Sequence, residues 1–413
     1  MSTTDFSKVS DQIGTCQDLV RTWQKKLVSI PALSPDSGGD GEQAKAEIIK
    51  TLLDSLAIDH LEEVNAPDPR VSAGYRPNLI ATIRGESDAR TIWIMSHMDV
   101  VPPGDLAMWK TDPFQVVEKD GILYGRGVED NHQGIISSLL AVKALRDAGV
   151  KPEWNIGLVL VSDEEMGSEY GISHVLKERK DLFRPDDFII IPDAGNEDGT
   201  MIEVAEKSIC WIKVETIGKS THGSTPEKGV NAHKASAHFI VKMNSLYKTF
   251  DKNDPLFDPP ISTFEPTKKE ANIPNINAIP GEDVVYFDCR ILPVYSVKEV
   301  QEEIGRIARE TEKNFGVTIT LSYPQLVEAP PATPADAPVS LALKQAIRHV
   351  LNRDAKPMGI GGGTVAAYFR QAGLHAAVWS TIDDTAHEPN ESCHIDNVLN
   401  DARVFAHLFL FAE

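Results

Sequence analysis

The chain has 413 residues, four cysteines and a formal net charge of -20, with 41% hydrophobic and 25% charged residues. This length and composition suit a soluble protein of two folded domains, and the acidic surplus argues against nucleic acid or an anionic membrane as partner, because phosphate groups would be repelled. The cysteines show no C-x-x-C spacing, the N-terminus shows no signal-peptide pattern, and no segment approaches the roughly 20 apolar residues of a membrane span. We therefore expect a cytoplasmic protein without disulfides or thiolate metal ligands.

The first predicted element is an amphipathic helix. Apolar residues recur at steps of three and four from Phe6 to Leu27, and Pro31 is expected to end the helix. A coiled-coil seam would show the same spacing, but the heptads are few, so a helix packed on a domain surface is the preferred interpretation. A second helix is expected over residues 42–56 and a strand over residues 78–84.

The apolar run from Trp93 to Val101 predicts a buried parallel strand with His97 and Asp99 at its carboxyl end. Period-two alternation directs these two side chains to the same face. A His beside a carboxylate suits a metal ligand and the group that orients its ring. As an isolated pair, however, such residues are more often structural.

A glycine loop follows and presents Asp130 just before a helix predicted over residues 132–148. Taken alone, this aspartate would be interpreted as a helix N-cap. The glycines at 125 and 127 do not form a phosphate loop, because the third glycine and the P-loop lysine are missing.

Two further predicted strands are followed by acidic residues. The strand at 155–161 leads to Glu164 and Glu165, and the strand at 188–191 leads to Asp193. A helix dipole alone would favour acids at a helix start. The carboxyl ends of parallel strands, however, meet at the edge where doubly wound sheets form their sites. The repeated coincidence therefore predicts one site at this edge.

From about residue 208 the pattern changes to strand-helix-strand-strand-helix-strand, which predicts a compact α+β, ferredoxin-like unit. Its elements are expected at 209–217, 229–247, 275–279, 283–291 and 297–314, and a Pro- and Ala-rich linker at 323–338. The predicted fold is thus α/β: a doubly wound mixed-sheet catalytic domain with an inserted lid. The predicted domain bounds are 1–207 and 326–413 for the catalytic domain and 208–325 for the lid.

The last part of the chain is expected to contain a helix at 339–351, a glycine loop at 359–363, a strand at 375–379 and a closing helix. A second histidine, His387, follows that strand in the sequence Ala-His-Glu-Pro-Asn-Glu. It adds a second imidazole to the candidate site.

Together the candidates offer two imidazoles and three carboxylates, from His97, Asp130, Glu165, Asp193 and His387. With one carboxylate bridging, two ions can each keep three protein ligands and share a water, which is activated near neutral pH. Two divalent ions bring about four positive charges, which three carboxylates and a hydroxide would balance. This nitrogen and oxygen set favours zinc, with cobalt or manganese as alternatives. Glu164, spared from ligation, is then the natural general base.

Five motifs carry a resemblance that covers nearly the whole chain: His-Met-Asp-Val-Val, Gly-Arg-Gly-Val-Glu-Asp, Ser-Asp-Glu-Glu-Met-Gly-Ser, Pro-Asp-Ala and Ala-His-Glu-Pro-Asn-Glu. The chain resembles the co-catalytic zinc hydrolases that include acetylornithine deacetylase, succinyl-diaminopimelate desuccinylase, aminoacylase and carboxypeptidase G. The resemblance implies one metal on His97, Asp130 and Asp193, and another on Asp130, Glu165 and His387. It also implies that Asp130 bridges, that Glu164 is the general base and that Asp99 is the partner of His97.

The resemblance also implies a homodimer formed through the lid. There His222, in Gly-Lys-Ser-Thr-His-Gly-Ser, would polarise the substrate carbonyl of the opposing subunit, and Arg290 and Asn277 would grip the substrate. Residues of the glycine loop would line the substrate pocket: Gly362, Gly363 and Thr364. Without the resemblance, His222 would be interpreted as a surface histidine in a turn. Arg290 could pair a substrate carboxylate bidentately or be a solvated arginine at a sheet edge. The glycine loop could favour an anionic group at a helix start or be an ordinary turn.

Two positions depart from the family pattern. His132 stands where many members have a lysine after the bridging aspartate, and we interpret it as structural. The glycine loop continues Gly-Gly-Gly-Thr-Val-Ala-Ala, which differs from the Gly-Gly-Thr-Ser-Asp type of desuccinylases.

The predicted function is a two-metal hydrolase that cleaves the amide bond of N-acyl amino acids or short peptides with a free carboxylate. Metal-bound water would be the nucleophile. A dipeptidase or carboxypeptidase, rather than a deacylase, is the alternative within the class, since these activities differ in pocket shape. A catalytically silent, metal-binding relative is the alternative of another class, and the complete ligand set with Glu164 speaks against it.

Overall fold

The computed structural model describes residues 3–412, with side chains from residue 5 onward. Met1, Ser2 and Glu413, which the predicted domain bounds include, lie outside the described residues. The chain divides into two compact units. Unit 1 comprises the residues up to Val204, Thr333–Met358 and the residues from Thr364 on, and unit 2 comprises Ala205–Ala332 and Gly359–Gly363. The predicted domain boundaries stay a prediction, which limited proteolysis would test.

The helices of the described residues are α1 (Thr3–Gly14), α2 (Gln17–Val28), α3 (Gln43–Ser55), α4 (His132–Ala148), α5 (Ile172–Glu178), α6 (Ala232–Met243), α7 (Leu246–Thr249), α8 (Val297–Phe315), α9 (Pro338–Leu351), α10 (Ala366–Gln371) and α11 (Ile395–Phe411). The strands are β1 (His60–Glu63), β2 (Ala66–Pro67), β3 (Tyr75–Arg76), β4 (Leu79–Ile83), β5 (Ser87–His97), β6 (Val117–Lys119), β7 (Ile122–Tyr124), β8 (Trp154–Val161), β9 (Phe188–Asn196), β10 (Met201–Glu206), β11 (Ser208–Ile217), β12 (Thr221–His222), β13 (Thr263–Lys269), β14 (Ala278–Ile279), β15 (Glu282–Ile291), β16 (Thr318–Val327), β17 (Lys356–Ile360), β18 (Ala376–Thr381) and β19 (Ser392–His394). Within residues 3–412, no helix has the length and apolarity that crossing a bilayer would take.

Unit 1 is built on an eight-stranded sheet of order β1-β4-β8-β5-β9-β18-β10-β17. The central strands β8, β5, β9 and β18 are parallel, whereas β4 is antiparallel to β8 and β10 to β18. Trp93, Ile189 and Val378 pack from the sheet onto Ile172 of α5 and Phe369 of α10. Helices α4 and α11 also contact the sheet and each other. The predicted α/β class with a doubly wound mixed sheet is confirmed.

Unit 2 contains an antiparallel sheet of order β13-β15-β11-β16. Helix α6 lies in the chain between its first and second strands and α8 between its third and fourth, so the predicted ferredoxin-like order is confirmed. The core of unit 2 packs Phe239 of α6 and Ile304 of α8 against Val214 and Phe287 of the sheet.

The prediction of one N-terminal helix was wrong. Helix α1 ends at Gly14 and α2 begins at Gln17. At the break, the N–H groups of Thr15 and Cys16 donate to carbonyls three residues back, at 3.1 and 2.9 Å, so the last turn is tightened. Glycine is a poor helix former, yet the apolar spacing continues through the break, so the spacing alone did not reveal it.

Two predictions in unit 2 were also wrong. The strand expected at 275–279 is reduced to β14, which pairs with β12, and the second strand of the sheet in chain order is β13 instead. Strand β13 was missed because it contains Pro266 and exposes most of its side chains, both of which an edge strand permits. The linker expected at 323–338 begins later, because Tyr323–Val327 belong to β16.

The strand ends near the candidate site also differ from the prediction. Strand β5 ends at His97, so Asp99 lies beyond it, whereas β9 continues to Asn196 and includes Asp193. The pairing of β9 with β18 is irregular between Ile191 and Gly195. Asp193 therefore lies at an interruption of the ladder, not past the end of its strand. Helix α4 has the predicted bounds.

Candidate metal centre

The five predicted metal ligands converge in unit 1. His97 Nε2 lies 2.8 Å from Asp130 Oδ1 and 3.2 Å from Asp193 Oδ1. His387 Nε2 lies 3.1 Å from Asp130 Oδ2 and 3.0 Å from Glu165 Oε2. Each oxygen of Asp130 thus contacts a different imidazole. This arrangement suits a carboxylate that bridges two ions.

Glu164 belongs to the same cluster. Two groups have ligand atoms within 4.8 Å of one another: His97, Asp130 and Glu165, and His97, Glu164 and Asp193. His97 is common to both groups. The carboxylate predicted to handle protons is therefore as close to His97 and Asp193 as a ligand would be.

The electrostatics of the cluster fit divalent cations. Burial, together with the charge of the nearby Asp130 carboxylate, raises the pKa of Glu165 to about 7. Burial and the charge of Asp193 raise the pKa of Glu164 well above its usual value. Glu165 Oε1 is buried without a hydrogen-bond partner. Because buried carboxylates are costly unless matched by cations or donors, this oxygen-rich set with two imidazoles fits divalent metal ions.

The ring of His97 is oriented by the residue predicted to be its partner. His97 Nδ1 lies 3.0 Å from the backbone oxygen of Asp99 and 3.5 Å from its Oδ1. Donation from Nδ1 to this carbonyl leaves Nε2 free to bind a metal. The Asp99 carboxylate instead accepts the backbone N–H groups of Glu164 and Glu165, both at 3.1 Å. Asp99 thus ties the end of β5 to the turn that carries both glutamates.

A buried ionic network lies next to this turn, and sequence reasoning missed it. Arg76 donates through Nε to Glu42 at 2.6 Å, contacts the same carboxylate through Nη2, and donates through Nη1 to Asp163 at 2.9 Å. Asp163 precedes Glu164 and adopts a positive φ of 64°. The partners are 34 and 87 residues apart in the chain, and no local pattern links them.

Substituting Arg76 with Met is expected to lower the free energy of unfolding by about 3–5 kcal/mol, because two buried carboxylates lose their cation. Urea unfolding measures this change. Arg21→Met is the matched control, since Arg21 pairs with Asp18 and Glu118 on a partly exposed surface, where an ion pair contributes about 1 kcal/mol or less. Equal losses in the two variants would show that the buried network does not hold the turn.

The residue that departs from the family pattern, His132, contacts another basic side chain. Its Nε2 lies 2.7 Å from Nζ of Lys45 on α3, and both side chains are buried. Burial lowers the pKa of Lys45 to about 7. His132 is in neither ligand group found among residues 3–412.

Most of the predicted substrate contacts lie in unit 2. Strand β12 pairs with β14, and Gly223 N–H donates to Asn277 O at 2.7 Å, so His222 and Asn277 share one turn region. His222 Nδ1 accepts the Ser224 N–H at 3.2 Å. A neutral His222 therefore carries its proton on Nε2, which is exposed in unit 2 and is able to donate.

Arg290 already has partners inside unit 2. Its Nε and Nη2 donate to Asp288 at 2.6 and 2.9 Å, and its Nη1 donates to Gly361 O at 2.8 Å. About two of the five guanidinium N–H groups are left for a ligand. Asp288 occupies the Nε–Nη2 edge, which is one of the two edges of the guanidinium that can pair a carboxylate bidentately.

The glycine loop is divided between the units. Gly362 and Gly363 belong to unit 2, and Thr364 belongs to unit 1, where its Oγ1 accepts the N–H of Ala366 at 3.2 Å. Helix α10, which follows, has only six residues. The macrodipole expected to favour an anion at this position is correspondingly small.

Comparison with known proteins agrees with this architecture. Residues 93–410 match the family described as Peptidase family M20/M25/M40. The chain is 42% identical over 396 residues to an uncharacterized metallohydrolase of Methanocaldococcus jannaschii, covering 92% of this chain and 96% of that protein. It is 28% identical to a succinyl-diaminopimelate desuccinylase of Nitratiruptor sp., covering 89% of this chain and 92% of that one.

Solved structures show the same fold. Human carnosine dipeptidase 1 matches with a TM-score of 0.72 and 21% identity, covering 98% of both chains. The resemblance drawn from the five motifs is confirmed. The chain belongs to Peptidase family M20/M25/M40 and is a metal-dependent hydrolase of amide or peptide substrates.

Proposed function

We propose that this hydrolase uses two divalent ions to cleave the amide bond of N-acyl amino acids or short peptides with a free carboxylate. The observation that carries the proposal is the position of Asp130, whose two oxygens contact two different imidazoles. One ion would be held by His97, Asp130 and Asp193, and the other by Asp130, Glu165 and His387. When bound, such ions polarise a carbonyl and lower the pKa of water.

Glu164 is proposed as the general base. Its backbone is fixed by Asp99, and its carboxylate lies within the cluster at a raised pKa. A carboxylate with a raised pKa is a stronger base than an ordinary glutamate, which suits it to take a proton from the attacking water and to deliver it to the leaving nitrogen. Asp99 would serve by holding both the ring of His97 and the turn that carries Glu164.

The proposed ions are zinc, with cobalt or manganese as alternatives. The proposed substrate contacts are the remaining N–H groups of Arg290, which would bind the substrate carboxylate, together with Asn277 and the glycine-loop residues Gly362, Gly363 and Thr364. The similar proteins include a desuccinylase and a dipeptidase, which supports amide cleavage without choosing between the two activities. A cytoplasmic location stays a proposal.

The test of the function is turnover of a panel of N-acyl amino acids and dipeptides, before chelation, after chelation, and after addition of Zn²⁺, Co²⁺ or Mn²⁺. We expect chelator-sensitive hydrolysis of carboxylate-bearing members. A preference for N-acyl amino acids supports the deacylase, and a preference for dipeptides supports the alternative. If no member is hydrolysed in a chelator-sensitive way, the proposed activity is wrong.

Arg290→Ala is expected to raise KM for substrates with a free carboxylate by about 10- to 100-fold, because hydrogen bonds to a charged group contribute about this factor to binding. The amidated analogues of the same substrates should be hardly affected. Lys213→Ala is the control, because Lys213 is another cation of the same unit and pairs with Glu215 at 2.8 Å. An equal effect on amidated analogues would assign Arg290 a structural role.

We also propose a homodimer formed through unit 2, in which the Nε2–H of His222 donates a hydrogen bond to the carbonyl oxygen of a substrate held by the opposing subunit and so polarises that carbonyl. Mixing inactive His222→Ala chains with inactive Glu164→Gln chains should then restore about a quarter of wild-type turnover, since half of the dimers are mixed and each has one intact site. Gel filtration tests for the dimer, and copurification of the two chains through different affinity tags verifies the exchange of subunits. Mixed dimers that stay inactive would contradict the cross-subunit role.

A further inference from the structure

Two irregular loops of unit 1 deliver metal-ligand candidates to the cluster. We name residues 125–131 the Asp130 loop and residues 383–392 the His387 loop. Each loop contains a buried glutamate that is in neither of the two ligand groups: Glu129 is 4% exposed and Glu391 is 0% exposed. The hydrogen bonds of these glutamates connect the two loops.

Glu391 belongs to the His387 loop but binds the backbone of the Asp130 loop. Its Oε1 accepts the N–H groups of Glu129 at 2.9 Å and of Asp130 at 3.0 Å. Its Oε2 accepts the N–H of Gly127 at 2.9 Å and Nη1 of Arg126 at 2.7 Å. Both oxygens of Glu391 are thus used to hold the segment that ends at Asp130.

Glu129 makes the reciprocal set of contacts. Its Oε2 accepts the N–H of Asp383 at 2.6 Å, and its Oε1 accepts the N–H groups of Thr385 and Ala386 at 2.8 and 3.1 Å. These three donors directly precede His387. The two loops therefore exchange carboxylates: each one contributes a glutamate that binds three backbone N–H groups of the other.

The His387 loop needs such support, because His387 has a φ of 65°, a left-handed conformation that is unfavourable for a side chain. Arg126, which pairs with Glu391, also donates through Nη2 to the His387 carbonyl at 3.4 Å. A glutamine could not replace either glutamate, because its amide has one acceptor oxygen and its NH₂ group would face other N–H groups. Ligand positions must be held to within about 0.5 Å for metal sites to keep their geometry.

We infer that Glu129 and Glu391 are positioning residues that set the distance between Asp130 and His387, and so the affinity for the ion that these two residues share. The inference rests on the two-metal centre of the proposed function. Because Glu129 holds the segment before His387, its loss should affect the ion bound by His387. Because Glu391 holds the segment that carries the bridging Asp130, its loss should affect both ions.

The experiment measures the stoichiometry and affinity of Co²⁺ binding to the full chain, from its visible absorption and from competition with a chelator. Glu129→Gln should lower the affinity for one ion by about 10- to 100-fold and leave the affinity for the other unchanged. Glu391→Gln should lower the affinity for both ions by a similar factor. Glu129→Asp and Glu391→Asp keep the charge and should give intermediate affinities, and they serve where a Gln variant does not fold.

The matched control is Glu203→Gln. Glu203 is a fully buried carboxylate of unit 1 that binds Arg370 at 2.8 and 3.0 Å, and so resembles the Glu391–Arg126 pair. This variant should lower the melting temperature of the metal-free protein without changing the affinity for either ion. Wild-type affinities for both ions in the Glu129 and Glu391 variants would overturn this inference and leave the two-metal proposal unaffected. A wild-type chain that binds fewer than two ions would instead overturn the two-metal proposal.

Discussion

Glu164→Gln is expected to lower kcat by about 10²- to 10⁴-fold, the usual contribution of a general base, while both metal ions stay bound. Glutamine keeps the shape of the side chain but cannot accept the proton of the attacking water. The fold should be unaffected, because the backbone N–H of Glu164 donates to the Asp99 carboxylate, and this hydrogen bond does not involve the Glu164 side chain. KM should change little, since the lost interaction is made in the transition state.

The neighbouring carboxylate provides the contrast that makes this test specific. Glu165 contacts His387 at 3.0 Å and its other oxygen is buried without a partner, as expected of a group that binds a cation. Glu165→Gln should therefore lose one ion, whereas Glu164→Gln should keep two. Metal content by elemental analysis and kcat by steady-state kinetics separate the two roles. If Glu164→Gln also loses an ion, Glu164 is a ligand, as its distance from His97 and Asp193 permits.

The convergence of the candidate ligands could be predicted from the sequence because several of them have a recognisable local context. His97 ends an apolar strand, and Asp130 and Glu165 stand at the start of helical turns. Parallel pairing of β8, β5 and β9 then brings Glu165, His97 and Asp193 to one side of the sheet, whereas Asp130 and His387 lie in loops outside these strands. The same argument predicted the doubly wound α/β class, although Asp193 lies at an interruption within a strand and not at a strand end.

What the sequence did not reveal depends on contacts between distant backbone and side-chain groups. Glu129 and Glu391 were visible in the motifs, but the groups that donate hydrogen bonds to them are backbone N–H groups more than 250 residues away, and backbone groups leave no trace in a residue pattern. Arg76 was missed for a related reason: a buried arginine looks like a surface one until its partners are known. Strand β13 was missed because an edge strand needs no apolar alternation on its exposed face.

Asp130→Asn is expected to remove the affinity for both ions and to lower turnover by about 10³-fold or more, since bound metals contribute several kcal/mol to catalysis. Asparagine has one acceptor oxygen in place of the two that contact His97 and His387, and it adds no negative charge. An amide NH₂ group would face one imidazole nitrogen. No rotation of the side chain restores both contacts.

Asp193→Asn is the matched comparison, because Asp193 contacts only His97 among the two imidazoles, at 3.2 Å. Asp193→Asn should weaken the binding of one ion and leave the binding of the other unchanged. Ligand binding stabilises the folded state, by about 4 kcal/mol at 1,000 times Kd, so added Zn²⁺ should raise the melting temperature of the wild type most, of Asp193→Asn less, and of Asp130→Asn least. If Asp130→Asn and Asp193→Asn show the same stoichiometry and the same rise, Asp130 does not bridge, and the two ions would have to be held by separate carboxylates.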